Sequence, residues 1–321
     1  MEAAARRKHI VNRDTIQRYG AVLIFFALFA FNCLFTKKFF SMRIVWNLLV
    51  QATPAILVGF GMTLVIATGN IDISVGSNMG LSAVIFALLV KGGGAPFPAL
   101  ITAMCLGMFV GLISGLLVSM FKVQSMIVTM AGMYILRGLA RVFSNGSNVS
   151  YMNKAVSDLS FYRILGAVPL HVVIVFVVLI LFGALIYKTR YGICLEACGD
   201  NKQAAHLSGI NTVLVITAAY MVCGTLAAFS GVEKAVMVSS ADGAGLGLMY
   251  EFDAIAATVV GGTPMAGGKP NLIGTLFAGL LLQLIEIMVN MNNIYYAVSL
   301  IIKALIILLA IYAQNAGQKK Q

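Results

Sequence analysis

The sequence predicts an all-α, polytopic membrane protein of about ten transmembrane helices with both termini cytosolic, and three observations carry that expectation. Of its 321 residues, 60% are hydrophobic and only 10% charged, with a mean hydropathy of +0.95; soluble domains carry about a quarter charged residues. Apolar windows of roughly 17 to 25 residues, the length a helix needs to cross a bilayer, recur along the chain. Lys and Arg, which give a net charge of +11, gather in connecting segments and at the ends, with no basic stripe interleaved with aromatics. The charge therefore reports topology, and no nucleic-acid partner is expected.

In order, the chain divides into a cytosolic segment 1–20, a transmembrane domain 21–312 and a cytosolic tail 313–321. Arg6, Arg7, Lys8, Arg13 and Arg18 precede the apolar run from Ala21 to Phe35. Thr36, Lys37 and Lys38 follow it where a cleaved leader would carry small residues, so an uncleaved first span is expected. Further windows fall near 44–67, 73–90, 98–119, 125–143, 168–187, 212–231, 251–261, 271–290 and 294–312. The window 251–261 is too short to span and is expected to run on into the Gly-rich stretch beside it. On this count Lys122, the loop with Lys188, Arg190 and Lys202, Lys269, and the tail with Lys319 and Lys320 fall inside. Lys37, Lys38 and Arg43 fall outside, against the rule, but the N-terminal cluster outnumbers them. Gly107, Gly111 and Gly115 repeat at a spacing that lets helix backbones approach closely in lipid. The five cysteines are odd in number and scattered, which argues against a disulfide framework. Cys194, Cys198 and His206 match no common zinc spacing, so no metal is expected.

One polar loop between two apolar runs, Lys188 to Asn211, organises the chain. Asp200 can cap a helix with Gln203 reaching back three residues later, and Gly209 followed by Ile210 supplies a left-handed stop. A helix of about two turns over 201–208 is too short to stand alone in water, so it must lean on a partner or on the rest of the chain.

Charged residues within spans are costly and hence functional candidates. Asp72 and Ser74, in the stretch GNIDISVG at 69–76, can cap the third span. Glu251 and Asp253 open the eighth. Glu286 and Lys303 face each other as candidates for an ion pair on adjacent helices, because an unpaired Lys303 in mid-span would cost about 3 kcal/mol. Arg137 and Arg141, one turn apart, sit where they can snorkel. The segment from Gly261 to Lys269 lacks the Gly and the Ser or Thr that a phosphate loop needs, so no nucleotide is expected to bind. No Ser/His/Asp or Cys/His set lies at plausible depth, so the chain is not expected to be an enzyme.

GNIDISVG at 69–76, GDNKQAAHLSGIN at 199–211 and YEFDAIAATVVGGTPMAGGKPNLIGTLFAGLL at 250–281 together resemble the ribose-type permease subunits of bacterial ATP-binding-cassette sugar importers. The resemblance covers nearly the whole chain. It implies a multi-pass protein of the bacterial plasma (inner) membrane, embedded in lipid, that carries a sugar or sugar-like solute by alternating access. Implied partners are an ATP-binding subunit, which would use ATP and Mg so that this chain needs no cofactor, a periplasmic or lipid-anchored sugar-binding protein, and a second permease copy or paralogue. The family's ATPase-docking pattern falls on Ala204, Ala205, Ser208, Gly209 and Ile210, with Asn201 at the helix start and Leu207 as the apolar contact. Asn70 stands where the family usually has Gly or Ser, and Pro270 where it usually has Gly.

Sugar hydroxyls need amide or carboxylate partners, which makes Asn47, Gln51, Asn70, Asp72 and Asn78 candidates for a translocation path. The alternative is a proton- or sodium-coupled secondary transporter, with Asp72, Asp253 and Glu286 as its titrating acids. Ile71-Asp72-Ile73 and Phe252-Asp253-Ala254 open spans of opposite direction, a faint inverted repeat compatible with both readings. The docking loop separates them, because a secondary transporter needs no helix exposed to a partner.

Overall fold

The structure, a computed structural model, describes residues 20–36, 39–164 and 166–318, with side chains through Leu309. All of segment 1–20 except Gly20 lies outside the described residues, as do Lys37, Lys38, Lys319 and Lys320. Helix α1 is Gly20–Phe35. There follow α2 (Met42–Ala67), α3 (Val75–Lys91), α4 (Pro96–Ser119), α5 (Ser125–Phe143), strand β1 (Asn148–Ser150), α6 (Lys154–Phe161), β2 (Arg163–Ile164) and β3 (Val168–Pro169). The chain continues with α7 (Leu170–Lys188), α8 (Arg190–Asp200), α9 (Lys202–Leu207), α10 (Thr212–Val238), β4 (Ser240–Asp242), α11 (Tyr250–Val260), α12 (Leu272–Met291) and α13 (Ala297–Gln318). Among the described residues, α2, α4, α5, α7, α10 and α12 are long and apolar enough to cross a membrane, while α1, α3 and the 297–309 part of α13 are shorter apolar helices. Two small antiparallel β pairs, β1 with β4 and β2 with β3, qualify the all-α expectation.

Helix α10 is the hub, packed against α2, α3 and α4. It runs 27 residues, or about 40 Å, from beside α9 to beside β4, and so marks the two ends of the bundle. The predicted small-residue stripe packs here: Gly107, Gly111 and Gly115 of α4 lie directly on the α10 backbone at Gly224, Tyr220 and Thr217. A side chain at any of the three would strike α10. The Ser119 and Thr217 hydroxyls, 3.0 Å apart, close the same seam. In lipid, where apolar contact alone gives helices little reason to associate, such close approach and buried hydrogen bonds hold them together.

Two helices begin inside the bundle rather than at its ends. Asn78, in the first turn of α3, donates to the Gly224 carbonyl about halfway along α10 (3.0 Å), and Gly76 of α3 touches Gly247, just ahead of α11. The chain reaches both starts through non-helical backbone, 68–74 and 239–249, whose polar groups must be satisfied by protein. Asp72 Oδ1 accepts from the Ser74 N–H at 2.9 Å and the Ser74 hydroxyl at 2.6 Å, and the Tyr220 hydroxyl donates to the Ile71 carbonyl at 3.3 Å. Ser74 therefore makes no side-chain cap to α3; its hydroxyl is used by Asp72. Arg137 does not snorkel. Its guanidinium donates to the Leu246 carbonyl at 2.6 Å and the Ala244 carbonyl at 3.3 Å, ordering the backbone that leads into α11.

α11 stops at Val260 and does not continue as helix into the Gly-rich stretch. Gly262, Gly267 and Gly268 take positive φ, and the segment folds back, with the Gly268 N–H donating to the Ala67 carbonyl at 2.9 Å.

Candidate functional site

The polar loop 188–211 forms two helices, of which sequence reasoning found one. Tyr191, Leu195 and Cys198 recur at helical spacing and turn inward: Leu195 and Cys198 are buried, and the Tyr191 hydroxyl donates to the Val215 carbonyl at 3.2 Å. This apolar stripe is what makes α8, and it takes Asp200 as its last residue. The predicted Asp200 cap is therefore corrected by one position. Asn201, in extended backbone, accepts from the N–H groups of Gln203 and Ala204, both at 3.0 Å, and caps α9. At the other end Gly209 takes φ +84, and the Ile210 N–H returns to the Ala205 carbonyl at 3.1 Å, the left-handed stop expected there.

Burial sorts the α9 residues by role. Ala205 is only 4% exposed and packs α9 onto the bundle. Leu207 is 87% exposed, and Asn201, Lys202, Gln203, Ala204, His206, Ser208 and Gly209 stand out with it. Leu207 is thus an apolar side chain displayed on a capped six-residue helix. Beside it opens a groove of about 1000 Å³ lined by Asn70, Lys122, Ser125, Lys202, His206 and Leu207 among others. Asn70 folds back onto Thr68, donating to its hydroxyl at 2.9 Å.

α8 ties this display to the helices of the bundle. Gly199 lies on the Ala67 carbonyl at the end of α2 and against the N–H of Gly268 in the α11–α12 connection. The approach is too close for any side chain at 199. Cys194 and Cys198 do not join His206 in a cluster: Cys198 is buried under α8, where burial pushes its thiol pKa up, while His206 faces out from α9.

The Glu286–Lys303 pair forms at 2.6 Å, and Asp253 completes it, 3.0 Å from the same ammonium. Lys303 is 6% exposed, so α11, α12 and α13 meet on a buried cation shared by two acids. The arrangement continues through amides. Gln283 donates to Glu286 and to Gln51, both at 3.2 Å, and Gln51 donates to Asn47 at 2.9 Å. Asn47 and Gln51 also line a cavity at the bundle end opposite α9, whereas Asn70 lies beside α9. Asp72 and Asn78 are buried in helix contacts between these two regions. The five path candidates are thus spread along the bundle and not gathered in one pocket. Sequence reasoning missed His171 and Glu233, a buried pair 2.6 Å apart that joins α7 to α10.

Comparison with known proteins agrees with this architecture. Residues 44–311 match the family described as branched-chain amino acid transport system / permease component. The chain is 35% identical to the ribose import permease protein RbsC of Escherichia coli strain K12 over 302 residues, covering 93% of this chain and 94% of the relative. It is 34% identical to the galactofuranose transporter permease protein YtfT of the same strain, covering 84% of this chain and 79% of that one. Ribose import permease protein RbsC of Bacillus subtilis strain 168 is 32% identical, with 95% of each chain covered. Among solved structures, one described as an inward-facing conformation of a metal-chelate type ABC transporter aligns with a TM-score of 0.52 at 14% identity, covering 93% of this chain and 99% of that one, a likeness of fold. This chain belongs to the permease family of the branched-chain amino acid transport system / permease component.

Proposed function

We propose that this chain is the membrane-spanning permease subunit of an ATP-binding-cassette importer for a sugar or sugar-like solute, residing in a bacterial plasma (inner) membrane. It spans about ten times with both termini cytosolic, so that α9 faces the cytosol. ATP and Mg are used by a separate ATPase subunit that docks on α9. A periplasmic or lipid-anchored binding protein delivers the solute, and a second copy or a paralogue of this chain completes the path. The sugar class rests on relatives that carry ribose and galactofuranose in their names.

The observation that carries the docking assignment is the exposed Leu207 on a helix capped at both ends. Movement of a docked ATPase would act on α9 and α8 together. Through the contacts of Gly199 it reaches the end of α2 and the α11–α12 connection, which are the elements that must shift for a path to open alternately. Coupling of this kind requires an element that moves as a unit between two positions.

Gentle extraction of the tagged chain from its native membrane, with mass spectrometry of what co-purifies, tests this reading. An ATP-binding-cassette ATPase is expected with the native chain and should be lost from Leu207→Asp. Recovery of the chain without any ATPase, together with uptake that collapses when the proton or sodium gradient is dissipated, would contradict it.

A further inference from the structure

We propose that the bundle end opposite α9 carries a subsite for an acidic sugar, a small polyhydroxylated solute bearing a carboxylate or phosphate. The inference rests on the permease reading and narrows its solute. A cavity of about 770 Å³ opens there between the start of α2, the α6–β3 segment, the start of α7 and the end of α10. Solute sites typically have volumes of about 300 to 1000 Å³. Among the described residues its walls hold three cations, Arg43, Arg163 and Lys234, and no Asp or Glu. Of the neighbouring acids, Glu233 holds His171 at 2.6 Å, and Glu286 holds Lys303 at 2.6 Å while its charge also acts on Lys234.

Lys234 is the deciding group. It is half-buried in the wall on α10 and makes no ion pair among the described residues. Arg43 and Arg163 are exposed, so an acidic protein surface could reach them, but the recessed ammonium of Lys234 calls for a small anion. Arg43 is also one of the basic residues that fall on the outer side against the positive-inside rule, where an anionic solute would meet it.

The rest of the wall suits a sugar. Trp46, the chain's one tryptophan, lines the same cavity and brings an aromatic surface to it. Asn47 accepts from Gln51 at 2.9 Å, and among the described residues its own amide N–H groups have no acceptor, leaving them for a hydroxyl or carboxylate oxygen. Gln51 is in turn held by Gln283, so the amide row is oriented from inside the bundle.

The single tryptophan makes the test direct. The full chain in phosphatidylcholine nanodiscs is titrated with D-gluconate, D-galacturonate and D-ribose 5-phosphate, with D-ribose and D-galactose for comparison, reading Trp46 fluorescence. At least one acid is expected to give a saturable change at a concentration about tenfold or more below the neutral sugars, because a charge-assisted contact to a cation is the stronger one. In Lys234→Gln the half-saturation point should rise about tenfold or more, while Lys234→Arg keeps it. Equal response to neutral sugars, indifference to Lys234→Gln, or no response to any of the three acids would overturn the subsite. Displacement of the acid by phosphatidylglycerol in the disc would make a lipid headgroup the occupant and also overturn it. ATP-driven uptake of ribose or galactose that none of the acids competes with would overturn the subsite and leave the importer reading standing.

Discussion

The junction of α11, α12 and α13 and the short helix α9 treat their side chains in opposite ways. At the junction Lys303 is buried and its charge is matched inside the chain by Asp253 and Glu286. At α9 the backbone ends are satisfied by Asn201 and Gly209, yet Leu207 is left in the open. Where polar groups are satisfied within the chain, the role is to hold helices together. Where an apolar group is left unmatched on an ordered element outside the packed helices, as Leu207 is, the proposed role is contact with another molecule.

Removing the shared cation should have the largest effect. Lys303→Leu leaves two adjacent carboxylates without a counter-charge, a loss of about 3–5 kcal/mol for a broken buried pair. The chain is expected to vanish from the membrane fraction, with Lys303→Arg restoring part of it. Normal abundance with an altered sugar profile would place Lys303 in recognition instead. Leu207→Asp should do the reverse, leaving abundance unchanged and removing about 2 kcal/mol or more of docking energy, as loss of a central apolar anchor does. Its readout is ATPase recovery and ATP-driven uptake. Asn201→Ala is milder, costing about 1 kcal/mol of α9 stability. It should speed amide exchange over residues 202–207, and Asn201→Asp should not. Lys269→Ala is the smallest. Its ion pair with Glu196 spans 3.6 Å with the ammonium exposed, so the change in stability should stay under about 0.5 kcal/mol, within the error of a thermal melt.

The helices were legible because bilayer thickness writes their length into the composition, and the Glu286–Lys303 contact was legible because a mid-span ammonium demands an acid. Asp253 was not assigned to that contact, since α11 reaches α13 only through the fold, and no local pattern announces it. α8 was legible in principle: Tyr191, Leu195 and Cys198 form a helical stripe, hidden among Arg190, Glu196 and Asp200 in a segment that looked uniformly polar. The starts of α3 and α11 within the bundle were beyond local reading. Their depth is set by Asn78 on Gly224 and by Arg137 on the Leu246 carbonyl, contacts between residues more than a hundred positions apart. The path candidates were chosen by residue type alone, which cannot distinguish an amide that lines a cavity, such as Asn47, from one that ties two helices together, such as Asn78.

The most direct test of α9 as the point where ATP hydrolysis meets transport is uptake of radiolabelled sugar by proteoliposomes. These would contain this chain, its co-purified ATPase and the binding protein, comparing the native chain with Leu207→Asp. Uptake that requires ATP, survives ionophores and is lost in Leu207→Asp with the protein still in the bilayer is the expected result. Uptake that proceeds without ATP and stops with ionophores, or that is untouched by Leu207→Asp, would contradict it.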